Sequence, residues 1–178
     1  MPVICRTALP SDIDAVMRIE KESFLPGLQE DKDLYLKRIS AFPEGFLLAE
    51  DTQTKEIGGY ICSELWREDR PVCAETLALG HEPKEAHCYD GTLFYITSFG
   101  TLTSWRGKKV GSLLLDTLEQ KIAKEYPQAT QSALIVSEKW LAARRLYEKR
   151  GFKERGRIID FFTPDDLPAE DAVLMMKP

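Results

Sequence analysis

Phe94-Tyr95-Ile96-Thr97-Ser98-Phe99-Gly100-Thr101-Leu102-Thr103-Ser104-Trp105-Arg106-Gly107-Lys108-Lys109-Val110-Gly111-Ser112 is the stretch whose reading decides the fold. With Leu93 before it, the run to Phe99 is rich in aromatic and β-branched residues and predicts a central strand. From Val110, the series Val110, Leu114, Leu118, Ile122 repeats every four residues and predicts a helix to Glu125, before Pro127. A strand, a loop of small residues and a helix start together make an anion cradle. Free N–H groups at a helix N-terminus, aided by the macrodipole, bind phosphate oxygens, and small residues let a phosphate approach the backbone. Arg106, Lys108 and Lys109 add cations at that end. The stretch has neither the GxxxxGK[ST] of a P-loop nor the GxGxxG of a dinucleotide fold, so an ordinary strand-to-helix turn accounts for it equally well.

Outward from this stretch, the chain alternates strand and helix signals. Val3 to Thr7 is a short β-branched run, and Ser11 with Asp14 offers a capping-box-like helix start. Ile13, Val16, Met17 and Phe24 then fall on one helical stripe, with Glu20 inside it, until Pro26-Gly27 stops the helix. Asp31 to Ala41 predicts a second helix, Phe46 to Glu50 a strand, and Ile57 to Trp66 its hairpin partner. Residues 67–90, charged and broken by Pro71, Gly80 and Pro83, predict a long connection with a short element at Thr76 to Leu79. Downstream, Ser132 to Val136 predicts a buried strand, Glu138 to Arg150 a helix ended by Gly151, and Arg157 to Phe162 and Ala172 to Met176 two last strands. The order β-α-α-β-β-β-α-β-α-β-β predicts an α/β fold, a mixed sheet with helices on both faces.

With 178 residues, 43% of them hydrophobic, one domain over residues 1–178 is expected. No apolar run reaches the roughly 18 residues of a membrane span, and the first residues lack a signal-peptide core, so a cytoplasmic protein without membrane contact is expected. The formal charge of −5 gives no nucleic-acid signature. Between Arg106 and Arg150, however, 10 Lys and Arg face 5 Asp and Glu, so one segment suits an anion. Cys5, Cys62, Cys73 and Cys88 form no CxxC pair and read as reduced thiols. Cys73, His81, His87 and Cys88 lack the close ligand pairs of a zinc site, so no metal is expected.

Two blocks carry a resemblance. Arg106-Gly107-Lys108-Lys109-Val110-Gly111 resembles the Q/R-x-x-G-x-G/A signature of the GNAT N-acetyltransferase superfamily, with Lys109 at its first Gly position. Leu134-Ile135-Val136 followed by Ala143-Arg144-Arg145-Leu146-Tyr147-Glu148-Lys149-Arg150-Gly151-Phe152 resembles the family's strand and A-x-x-L-Y-E-x-x-G-F block, with Trp140 where an Asn often stands. The resemblance covers essentially the whole chain. It implies a mostly antiparallel sheet with a splayed central strand pair, and acetyl-CoA as co-substrate. Pantetheine would pair along Phe99, Gly100 and Thr101, and the pyrophosphate would sit on the loop and helix start, Arg106 to Ser112. Tyr147 would donate to the CoA sulfur, since a phenol keeps its proton at neutral pH.

Within the family, Ile19-Glu20-Lys21-Glu22-Ser23-Phe24, Ser63-Glu64-Leu65-Trp66 and Glu75-Thr76-Leu77-Ala78-Leu79-Gly80-His81 are similar to the arylalkylamine (serotonin-type) N-acetyltransferases. The vertebrate enzymes of that group carry two histidines on the central strand, where this chain has Tyr95 and Thr97. An alkylamine is mostly protonated at pH 7, and only its neutral form attacks a thioester, so a base or selection of the minor species is needed. Glu64, Tyr95, His81, His87 and a water held by Thr97 or Ser98 are all candidates, and the base is unassigned. The expected activity is acetyl transfer to a small aryl- or alkylamine by direct attack in a ternary complex. The alternatives are acetylation of a protein N-terminus or lysine, and a non-catalytic acyl-CoA sensor. A homodimer is left open.

Overall fold

Strand β1 (Val3–Thr7) opens a seven-stranded sheet of order β1-β2-β3-β4-β5-β7-β6 in the computed structural model, which describes residues 2–178. The other strands are β2 (Phe46–Asp51), β3 (Ile57–Trp66), β4 (Leu93–Thr101), β5 (Gln131–Ser137), β6 (Lys153–Phe162) and β7 (Glu170–Lys177). All neighbours are antiparallel except β4 and β5, which join through the crossover helix α5 (Val110–Glu125). The fold is thus α/β, with the mostly antiparallel sheet of the sequence reading.

Helix α1 (Ile13–Ser23) lays Ile13, Val16 and Ile19 on one face of β3 and β4, while α5 buries Val110, Leu114, Leu115, Leu118 and Ile122 on the opposite face. Helix α2 (Lys32–Ala41) starts where the Asp31 carboxylate accepts the Leu34 N–H at 2.8 Å as its N-cap, one residue after the expected start. The expected Ser11 cap does not form. Asp12 instead accepts the Leu9 N–H at 2.8 Å while the Arg6 guanidinium holds both its oxygens, because a charged acceptor bonds more strongly than a hydroxyl.

Residues 67–90 contain two one-turn helices, α3 (Ala74–Leu77) and α4 (Pro83–Ala86), the first two residues earlier than expected. Helix α6 (Leu141–Glu148) starts later than the expected Glu138, because Glu138 still gives its N–H to Asp171 of β7 at 3.0 Å and Trp140 bonds back to Ser137. β6 and β7 run longer than read from the sequence; β6 is an edge strand whose mostly exposed residues carry little hydrophobic pattern.

The central pair positions the site. Between β3 and β4 the register passes from Cys62↔Ser98 to Ser63↔Ile96, so Thr97 is an extra residue in β4. β4 and β5 pair only from Leu93↔Gln131 to Ile96↔Leu134. Beyond that point both strands continue but part, and burial along β4 drops at Thr97, Ser98 and Phe99. The expected splay is therefore present, and it starts at the bulge.

Candidate active site

The splay opens a cleft of about 830 Å³ whose walls come from β4, β5, α1, α5 and α6. At one end the loop Thr103–Lys109 turns into α5. Gly107 (φ +73°) and Lys109 (φ +61°) both lie in the left-handed region, which curls the backbone so that successive N–H groups converge. The first helical hydrogen bond runs from Leu113 N–H to Lys109 at 3.0 Å, so the N–H groups of Val110, Gly111 and Ser112 precede it. A sixteen-residue helix adds partial positive charge there. The donors suit an anionic pyrophosphate, and the carbonyl and N–H groups of β4 past Ile96, no longer paired to β5, suit an amide-bearing chain such as pantetheine.

Of the residues read from the sequence, Phe99, Gly100, Thr101, Arg106, Gly107, Lys109, Val110, Gly111, Ser112 and Tyr147 all line this cleft. Lys108 does not; it is exposed beside it. Arg106 bonds the Glu22 carbonyl at 3.2 Å, which ties the loop to the end of α1. Tyr147 is buried against Phe99 and Phe152, and burial alone pushes its phenol pKa well up, so it holds its proton throughout the neutral range.

The base candidates separate into two groups. Thr97 and Ser98 line the cleft, whereas Glu64, Tyr95, His81 and His87 do not. Glu64 is buried among Arg38 (2.9 Å), Trp66 Nε1 (2.7 Å) and His81 Nε2 (2.9 Å). Burial pushes its carboxyl up, but the His81 hydrogen bond and the Arg38 charge outweigh this and hold it below the ordinary range. Such a carboxylate is an anchor rather than a proton acceptor. Burial raises the Tyr95 pKa and lowers that of His87, whose ring stacks on Phe42. Each member of the Cys73, His81, His87 and Cys88 set bonds elsewhere; among the described residues no three metal-binding side chains converge.

Sequence reading gave Glu20 no role, yet it lies at the other end of the cleft. Glu20 is 1% exposed and accepts from Tyr35 Oη at 2.8 Å, from Tyr60 Oη, and from the Glu30 N–H at 2.9 Å. Both tyrosine hydroxyls also meet Ser98 Oγ, at 3.1 and 2.8 Å, so a hydroxyl chain links the cleft to the carboxylate. Burial raises the Glu20 pKa and the three donors oppose that rise. The signal in the sequence was a carboxylate inside an otherwise apolar helical stripe. Beside it, Glu30 is held by Arg38 at 3.0 Å.

Residues 13–152 match the model of the acetyltransferase (GNAT) family. Among solved structures, the chain is similar to the loading GNATL domain of CurA from Lyngbya majuscula, at 15% identity over 99% of this chain and 98% of that one (TM-score 0.82). It is also similar to the ribosomal-protein-S18-alanine N-acetyltransferase from Escherichia coli (18%, 99% and 94%, TM-score 0.72). A third is Naa50 of Arabidopsis thaliana, solved with the bisubstrate analogue CoA-Ac-MVNAL (18%, 100% and 99%, TM-score 0.73). At these identities the likeness is one of fold. A search of curated proteins found no match.

Proposed function

The chain belongs to the acetyltransferase (GNAT) family and is an acyltransferase; from that premise we propose that it moves an acetyl group from acetyl-CoA to the primary amine of a small aryl- or alkylamine. One observation carries the reading: a single cleft joins an anion cradle, a phenol that keeps its proton and a buried carboxylate of raised pKa. Acetyl-CoA supplies the activated acyl group and a thiolate leaving group. The cradle from Arg106 to Ser112 holds the anionic end, and the free edge of β4 at Phe99 to Thr101 aligns the thioester arm. Glu20, directly or through Ser98, takes the proton from the acceptor ammonium, for which a raised carboxyl pKa is the better match. Tyr147 gives its proton to the departing sulfur. With the carboxylate and the phenol both facing one cleft, transfer proceeds by direct attack with both substrates bound, and the acyl-CoA sensor reading loses its support.

The acidic floor, Glu20 and Glu30, favours a cationic acceptor, and the apolar side chains Phe24, Leu28, Leu79, Trp140 and Phe162 favour an apolar body behind the amine. Residues 67–90 contribute Leu79 alone to the cleft, so the discrimination of acceptors passes to α1 and β6. A protein N-terminus is the second reading, favoured by two fold neighbours, the ribosomal-protein-S18-alanine N-acetyltransferase and the Naa50 that binds CoA-Ac-MVNAL. Thiol release from acetyl-CoA, measured with arylalkylamines, polyamines and peptides bearing free N-termini against a no-acceptor control, decides among them. Arylalkylamine-dependent release is expected. Release with peptides alone would move the acceptor to a protein, and none with any amine would sink the proposal.

A further inference from the structure

The two histidines of the chain sit in opposite hydrogen-bonding geometries. His87 Nδ1 accepts the Leu65 N–H at 3.1 Å, so that nitrogen carries no proton. His81 has acceptors on both sides. Its Nδ1 lies 3.0 Å from the Ala78 carbonyl oxygen, and its Nε2 lies 2.9 and 3.0 Å from the two oxygens of the Glu64 carboxylate. A neutral imidazole has one N–H and would turn a lone pair on one of these acceptors. Only the imidazolium donates to both.

The groups packed around the ring favour that form. The Glu30 and Glu64 side chains, 8% and 2% exposed, share the guanidinium of Arg38 on α2, so an imidazolium brings a second cation to two buried carboxylates. Trp66 of β3 stands 6.0 Å from the ring and Tyr95 of β4 6.5 Å, and on the same segment as His81, Glu82 pairs with Lys37 at 2.6 Å. The ring also anchors a turn. Gly80 takes φ +78°, and the His81 N–H closes on the Ala78 carbonyl at 3.4 Å. From this turn the Gly80 N–H donates to Glu30 Oε1 at 2.9 Å, and Leu79, like Glu30, lines the cleft.

We propose that His81 is a positioning residue of the transfer: as an imidazolium it clasps residues 78–81 to Glu64, which keeps the Gly80 N–H on Glu30 and Leu79 in the cleft wall. The inference rests on the transferase reading given above and adds to it a residue that lies outside the cleft. His81 acts through Glu30, whose backbone N–H holds Glu20 Oε1 at 2.9 Å. With the clasp open, Glu30 loses one donor and the cleft loses one apolar side chain, so the acceptor is held less well. The anion cradle, at the other end of the cleft, is untouched.

The test joins a spectroscopic readout to a kinetic one. In protein labelled with ¹⁵N-histidine, the ring-nitrogen shifts at pH 7 should show both His81 nitrogens protonated and His87 Nδ1 unprotonated; a neutral His81 in wild type overturns the proposal without any variant. His81→Gln offers one N–H donor and one acceptor, and His81→Lys keeps a cation with several donors. His81→Gln should raise the KM for phenethylamine about tenfold, leave the KM for acetyl-CoA unchanged and speed hydrogen exchange at the Gly80 N–H, with His81→Lys restoring most of each. An unchanged phenethylamine KM in His81→Gln, an equal rise in both KM values, or a lysine variant no better than the glutamine one also overturns it. If wild type acetylates no amine, the transferase reading falls and the part of His81 in transfer falls with it, while the nitrogen shifts and the Gly80 exchange still decide whether the clasp exists.

Discussion

The Tyr35 hydroxyl donates to the Glu20 carboxylate at 2.8 Å, and both groups are almost fully buried. A carboxylate in such a place is costly unless hydrogen bonds satisfy it, and three donors do so here. The arrangement keeps the group available as a proton acceptor inside an apolar helix face.

If Glu20 takes the acceptor's proton, Glu20→Gln lowers kcat by about 10²- to 10⁴-fold and leaves the KM for acetyl-CoA unchanged. Its pKa lies above the ordinary carboxylate value, so the active, ionised form is lost as pH falls through that raised value, giving the acidic limb of the kcat profile. Tyr35→Phe removes one donor to the ionised form. The acidic limb should then move to higher pH, since losing that donor raises the Glu20 pKa further. Steady-state rates across pH, with circular dichroism as a folding control, check both.

Tyr147→Phe keeps the ring packed against Phe99 and Phe152 but removes the proton offered to the sulfur. The expected outcome is a fall in kcat of about 10² or more with CoA affinity preserved. Because burial raises the Tyr147 pKa, the wild-type rate should show no alkaline limb from this phenol below pH 10. Thiol release and CoA binding measured on the same preparation separate a chemical defect from a binding one.

The β4–loop–α5 segment was legible because its signals are local: aromatic and β-branched residues, then small ones, then an apolar repeat of four. Tyr147 was legible through the spacing Ala143 to Phe152. Glu20 and the hydrogen bond from Asp165 N–H to the Pro26 carbonyl were not, for a different physical reason. Glu20 becomes meaningful only when α1 packs on β3 and β4 and brings Tyr35 and Tyr60 to it, and Pro26 meets Asp165 only after the whole sheet has formed. Lys139 and Trp140 read as helix because nothing local reports that Asp171 will claim the Glu138 N–H.

Arg38 lies buried between Glu30 and Glu64, at 3.0 and 2.9 Å. Arg38→Ala takes the shared guanidinium from two buried carboxylates, leaving Glu64 only Trp66 and His81 and Glu30 only the Gly80 N–H, and should cost about 3 to 5 kcal/mol in urea unfolding. The folded Glu64 pKa lies below its unfolded value. Its ionised form therefore stabilises the fold above the unfolded carboxylate pKa, near 4.5, and that contribution is lost as pH falls through the lower folded value. Wild type and Glu64→Gln should differ most near pH 7 and converge toward pH 3; a gap independent of pH would remove the linkage.

Lys109 puts a side chain at φ +61° where the matched signature has glycine. A left-handed non-glycine residue costs roughly 1 to 2 kcal/mol, and glycine gives back about 0.4 to 1 kcal/mol through the freer unfolded chain. Lys109→Gly should therefore raise stability by up to about 1 kcal/mol, visible as a higher Tm. The same change removes a cation from the lip of the anion cradle. A charge at a helix N-terminus is worth about 0.3 to 1 kcal/mol, so the KM for acetyl-CoA should rise about two- to fivefold at low ionic strength, and less at 0.5 M salt. Stability and affinity thus move in opposite directions. A variant that gains Tm with no salt-dependent change in KM would show that Lys109 does not act on the bound anion; one that loses Tm would show that the side chain stabilises its own strained backbone.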